Sequence, residues 1–176
     1  MKIHTVGHSK HPIEDFISML KANEIELVAD VRRIPRSRFN PQFNTTKLKE
    51  SLQKEGIEYF WMPELGGKRD PVPGSTNTAW KEAAFQGYAD HMQTSEFERG
   101  LAQLIIHAKT RNTAYMCAEA DYQNCHRKLL SDALTARGLD VFHITKTGLE
   151  PHKLTPFARV ESKRVTYPSA SPELDF

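Results

Sequence analysis

From Cys117 to Arg127 the chain reads CAEADYQNCHR and carries both of its cysteines. Thiol, carboxyl, imidazole and guanidinium groups fall within one short stretch. Cys125 is followed directly by His126 and Arg127. Positive neighbours and a helix start both lower a thiol's pKa and favour the reactive thiolate. On electrostatics Cys125 is the better nucleophile. On placement Cys117 is, because a strand end holds a side chain rigidly. The residues leave that choice open. Glu119 would act as general acid or base, or would hold His126 or an arginine in place.

The same residue types admit other chemistry. Cys117, Glu119, Cys125, His126 and His8 are side chains that zinc accepts. The cysteines stand eight positions apart, however, rather than in a close C-x-x-C pair. No cofactor is predicted, and a metal at the Cys/His/Glu cluster is the weaker alternative. A disulfide serving as a redox switch is another. Two small buried apolar side chains make the plain structural account. No Walker loop, G-x-G-x-x-G, H-E-x-x-H or G-x-S-x-G occurs. Gln123 stands where a cysteine-phosphatase loop counted from Cys117 needs arginine, which argues against a standard protein phosphatase.

Alternating strands and helices must position these groups. Ile3 to Val6 reads as a first strand ending at Gly7-His8-Ser9. Ile13, Phe16, Ile17 and Leu20 follow at helical spacing. Leu27 to Val31 is a continuous apolar run with Asp30 inside it, as in a strand buried on both faces. A helix holding Leu48 and Leu52 is predicted next, capped by Asn44 or Thr45 and ended by Gly56. Glu58 to Met62 is the third strand, and Pro63 to Thr78 a long functional loop or flap. Trp80 to Met92 is predicted helical, and Ser95-x-x-Glu98 is a capping box for the helix after it. Thr113 to Met116 delivers Cys117, Asn124 caps a helix ending before Gly138, and Val141 to Ile144 is the fifth strand. The expected fold is one compact α/β domain over 1–150. It has about five mostly parallel strands with helices on both faces. Residues 151–176 form an extension, in which FARVESKRVTY suggests a hairpin.

In a parallel sheet, ligands bind beyond the strands' carboxyl ends. GHS, DVRRIPRSR, PELGGKR and CAEADYQNCHR should all meet at that edge. They bring Arg32, Arg33, Arg36, Arg38 and Arg69, and Arg127 from the helix start. One arginine is ordinarily a solvated charge; six on one edge favour an anionic ligand, which arginine forks grip in two-pronged fashion. Asp30 would pair with an arginine, structurally or in catalysis.

The chain has 176 residues and a net charge of +2, so overall charge implies nothing about nucleic acid. Two cysteines make no disulfide framework and suit a reducing, cytoplasmic setting. No stretch has the length of a membrane span or the pattern of a signal peptide. Oligomeric state is not readable.

In order, TVGHS, LVADVRRIPRSRFNPQF, ELGGKR, MCAEADYQNCHR and VFHI, with LTPFA and TYP near the end, resemble the domain-of-unknown-function family 488. The resemblance implies a compact α/β domain and no particular activity. The positions it carries over are His8, Ser9, Asp30, Arg32, Pro35, Ser37, Arg38, Gly66, Gly67, Arg69, Cys117, Glu119, Cys125, His126 and Arg127.

The foremost expectation is an enzyme acting on a phosphorylated or nucleotide-like anion. Cys117, Glu119, Cys125, His126, Asp30 and His8 would do the chemistry. Ser9, Arg32, Ser37, Arg38, Gly66, Gly67, Arg69 and Arg127 would bind the substrate. A nucleic-acid-binding or base-modifying protein is the alternative, with Phe60, Trp61 and Tyr122 stacking on unpaired bases. A non-catalytic module docking an acidic partner is the third.

Overall fold

A computed structural model describes residues 1–170. Six strands form one sheet: β1 (Lys2–Gly7), β2 (Leu27–Asp30), β3 (Glu58–Trp61), β4 (Thr113–Cys117), β5 (Asp140–Thr145) and β6 (Gly148–Pro151). Their order is β3-β2-β4-β1-β5-β6. The first five run parallel, and β6 turns back antiparallel on β5. The sequence pattern missed β6, because Gly148–Pro151 is exposed along its whole length and shows no apolar alternation. This strand also straddles position 150, the expected end of the main domain. Beyond it, Arg159–Glu161 (β7) and Arg164–Thr166 (β8) form the small hairpin.

Two apolar layers explain the continuous hydrophobic strands. Val28, Ala114 and Met116 pack with Phe16 and Leu20 of α1 (Ile13–Ala22) and Leu48 and Leu52 of α2 (Thr45–Lys54). Ala29, Tyr115 and Cys117 point to the opposite layer. There they meet α3 (Ala83–His91), α4 (Ser95–Thr110) and α5 (Arg127–Ala136). Adjacent strand residues face opposite sides, so both layers draw on the same strand.

Helix starts differ from expectation in instructive ways. Thr94, not Ser95, caps α4, its hydroxyl accepting from Phe97 N at 3.2 Å. Asn124 caps nothing: it lies in a short 3-10 turn, Tyr122–Asn124, whose own cap is Asp121. Asn44 precedes α2, but its side chain accepts the Ser37 amide at 2.7 Å and so closes the DVRRIPRSR loop instead. The Pro63–Thr78 segment is anchored by Asp90, which accepts from Val72 N, Ser75 Oγ and Asn77 Nδ2. Gly87 lets α3 approach it: a Cβ there would lie 1.9 Å from the Arg69 carbonyl oxygen.

Neighbouring β2 and β4 send their next helices to opposite faces of the sheet. That reversal opens a crevice between the loops at their carboxyl ends.

Candidate active site

The crevice is a hollow of about 320 Å³. Cys117, Glu119, Asn124, Cys125 and His126 line one side. Arg32, Arg33, Ile34 and Arg36 come from the loop after β2, Gly67 and Lys68 from the turn after β3, and Ala84 and Phe85 from α3. Arg33, Arg36 and Lys68 are exposed, and no carboxylate pairs with them among the described residues. The hollow therefore has a cationic rim and a thiol floor.

Cys117 ends β4, and Cys125 lies just before α5. Their sulfurs stand 2.7 Å apart. Arg127 spans behind them, with Nε 2.9 Å from Cys117 Sγ and its amide 3.4 Å from Cys125 Sγ. Burial pushes the Cys125 thiol up. The hydrogen bond from Cys117 and the charge and amide of Arg127 outweigh it and bring the pKa down to about 7. Cys117 moves the other way: burial and its bond to Cys125 hold it protonated. Cys125 is thus the more acidic member of the pair.

His126 completes the arrangement. Its Nε2 lies 2.9 Å from the Val31 carbonyl, which can only accept, so Nε2 carries the proton. Burial keeps the ring neutral. Nδ1 is then a free lone pair, 3.5 Å from Cys125 Sγ. Gly67 makes room for the ring, since a Cβ there would lie 2.8 Å from Nδ1. Glu119 sits at the mouth with an exposed side chain, and its backbone carbonyl accepts from Arg127 at 2.6 Å.

Other residues from the sequence-based set lie outside the hollow or, like Arg32 at its border, are already committed. Asp30 is fully buried, and Arg32 and Tyr59 occupy its carboxylate. It organises the loop and cannot reach a ligand. Arg32 grips Asp30, donates to the Phe43 carbonyl at 2.8 Å and contacts His8 Nε2 at 3.3 Å, so its guanidinium is committed although the residue borders the hollow. His8 stacks on Phe43, and burial lowers its pKa to about 4. It serves as a neutral acceptor for Arg32, away from the thiols.

The amides of His8 and Ser9 bond to the Cys117 and Ala118 carbonyls, extending the β1–β4 ladder instead of cradling an anion. Ser37 Oγ accepts from Asn40 N. Arg38 is exposed outside the hollow. Arg69 ties its own turn, donating to Gly66 and Pro63 carbonyls at 3.1 and 3.0 Å. Gly66 is where that turn passes Arg33, whose backbone a Cβ would meet at 2.7 Å. Arg127 is buried behind the sulfurs and offers nothing to a ligand directly. Lys68, Phe85 and Asn124, the last expected only as a helix cap, line the hollow without belonging to the sequence-based set. Lys68 lay within the quoted ELGGKR motif; Phe85 carried no signal.

The family model described as "Domain of unknown function DUF488" matches residues 12–134. The chain belongs to the DUF488 family. The matched span holds the whole lining of the hollow, from Arg32 to His126. Neither the curated proteins nor the solved structures contain a match. Among the described residues of this DUF488 chain, no three His, Cys, Asp or Glu side chains gather closely enough to hold a metal ion. Nor is any described helix long and apolar enough to cross a membrane.

Proposed function

We propose that this chain is an enzyme using Cys125 as a nucleophile on an anionic, phosphorylated or nucleotide-like substrate. One observation carries the reading: the acidic thiol of Cys125 stands between a hydrogen-bond donor, Cys117, and a neutral imidazole acceptor, His126 Nδ1, inside a cationic rim. Arg33, Arg36 and Lys68 hold the substrate's anion. The Cys125 proton passes to His126 Nδ1 as sulfur bonds to the electrophilic atom, and the bond to the leaving group breaks. The leaving group then takes that proton from His126. A second acceptor then attacks the sulfur-bound atom, Glu119 takes its proton at the mouth, and the bond to Cys125 breaks to release the sulfur.

Thermal-shift titration with nucleotides, nucleosides and sugar phosphates tests the reading. Stabilisation by phosphorylated compounds, lost in Arg33→Ala/Lys68→Ala, supports it. A folded protein with flat responses throughout counts against it. Cys125→Ser should bind the same ligand and lose turnover. Full function in that variant would instead favour a non-catalytic docking module.

A second reading keeps the site but makes the substrate a nucleotide within a single strand. Phe60 and Trp61 are 43% and 47% exposed and line another hollow, of about 360 Å³, with Arg99, Gln103 and His107. Aromatic rings beside the Arg99 guanidinium suit unpaired bases. Tyr122 is no part of this surface, because it stacks on His143 with ring centres 3.4 Å apart. Salt-sensitive quenching of Trp61 fluorescence by single-stranded oligonucleotides would favour this reading. The other tryptophan, Trp80, is buried.

A further inference from the structure

Arg127 leads from the thiols into a row of buried polar groups that the chemistry above leaves unused. Its Nη1 donates to Thr5 Oγ1 at 2.6 Å. Thr5 Oγ1 lies 2.8 Å from His143 Nδ1, and His143 Nε2 lies 2.9 Å from His152 Nδ1. His152 Nε2 lies 2.8 Å from Asp132 Oδ1. Asp132 also accepts the Thr155 amide at 3.0 Å and the Tyr167 hydroxyl at 2.7 Å. Thr5, Arg127, Asp132 and His143 are all buried, and the His152 side chain is nearly sealed.

The bonding pattern dictates the protons. Burial first, then His152 and Arg127, lower the His143 pKa to about 3, so its ring carries one proton. With that proton on Nε2, His143 donates to His152 Nδ1 and accepts from the Thr5 hydroxyl. Thr5 in turn accepts from Arg127, and His152 donates to Asp132. Every donor then has an acceptor. With the proton on Nδ1, Thr5 oxygen would receive two donors, and its own hydroxyl proton would find no acceptor in the row. All the bonds therefore point one way, from Arg127 to Asp132.

We propose that this row is a positioning relay that anchors the Arg127 guanidinium on the two sulfurs. Thr5, His143, His152 and Asp132 are its positioning residues. The inference rests on the thiol reading above. A guanidinium is planar and rigid, so fixing Nη1 on Thr5 and Nη2 on the Glu119 carbonyl dictates where Nε points. Nε points at Cys117 Sγ. Bonds aligned in one direction polarise one another, and Asp132 balances the Arg127 charge without approaching the thiols. Thr5, His143 and His152 lie outside residues 12–134, so the relay is built largely from the flanks of the family match. It also ties the segment after β6 to the reactive site.

Thr5→Val keeps the side chain's shape and removes the hydroxyl; Thr5→Ser restores it. His152→Leu removes donor and acceptor; His152→Gln keeps both. The readouts are thiolate absorbance against pH and iodoacetamide alkylation of Cys125, with melting curves as a fold check. Thr5→Val and His152→Leu should raise the thiolate midpoint and slow neutral-pH alkylation by about three- to tenfold, while Thr5→Ser and His152→Gln stay near the parent. Folded Thr5→Val and His152→Leu proteins that titrate like the parent overturn the relay. Should these variants not fold, nitrogen NMR of the unaltered protein decides: both histidines must show protonated Nε2, and any other tautomer overturns it. A flat ligand panel with responsive relay variants sinks only the enzyme reading. Ligand binding with unresponsive relay variants sinks only the relay.

Discussion

Cys117 Sγ and Cys125 Sγ lie 2.7 Å apart, although eight positions separate them in the chain. At that distance they titrate as one unit: the first proton leaves easily and the second is retained. Arg127 Nε lies on Cys117, yet burial and the bond to Cys125 raise the Cys117 pKa while that of Cys125 falls. Alkylation of Cys125 should therefore rise with pH about a midpoint of about 7, against 9.0 for an ordinary thiol. Cys117→Ala removes the donor and should slow alkylation at neutral pH by about five- to tenfold. An unchanged profile in that variant would mean the thiols titrate independently.

Gly67 and His126 should fail together. A methyl group at position 67 meets the His126 ring, with Nδ1 at 2.8 Å, and that ring is pinned on its other side by the Val31 carbonyl. Gly67→Ala should displace Nδ1 from Cys125 and lower thiol-dependent turnover by about ten- to a hundredfold, as should His126→Ala. Combining them should add little, because both remove one proton acceptor. Fully additive losses would show that Gly67 acts on something other than His126.

Mild oxidation should close the two thiols reversibly. An oxidant such as hydrogen peroxide takes the two electrons, the sulfurs lose their hydrogens, and water is formed. The product should be resistant to iodoacetamide, inactive, and restored by dithiothreitol. Mass spectrometry of the Cys117–Arg127 peptide reads the linkage. A stable sulfinic acid on Cys125, with Cys117 still free, would show that Cys117 does not resolve the oxidised sulfur.

The sequence made the thiol side of the site legible because CAEADYQNCHR is one continuous segment at the end of a plainly apolar strand. Parallel topology follows from the strand and helix alternation, and with it the meeting of distant loops. The arginine side was harder. Residue type says nothing about prior commitments, and Arg32 is consumed by Asp30, two positions earlier. Likewise GHS looks like an anion cradle until its amides prove to be part of the β1–β4 ladder. The row behind Arg127 was illegible. Thr5 and His143 are inconspicuous polar residues of β1 and β5, 138 positions apart, and only the pairing of those strands joins them.

Acid should expose the structural role of His8, which packs beside the buried Asp30–Arg32 pair. Removing one partner of a buried ion pair strands the other, so Asp30→Ala should cost about 3–5 kcal/mol of stability. Tyr59 also loses its acceptor there. His8 adds a pH dependence. Its folded pKa, lowered mainly by burial to about 4, lies below the ordinary 6.5. The unfolded chain therefore binds the proton first as pH falls, which favours unfolding. The His8 contribution is complete above pH 6.5 and is lost as pH drops from 6.5 toward about 4. His143, lowered to about 3, acts in the same direction. Urea midpoints should thus decline steadily below pH 6.5. His8→Gln should flatten that decline by preserving a neutral partner for Arg32. A His8→Gln protein whose midpoint falls as steeply as the parent's would place the acid-sensitive group elsewhere.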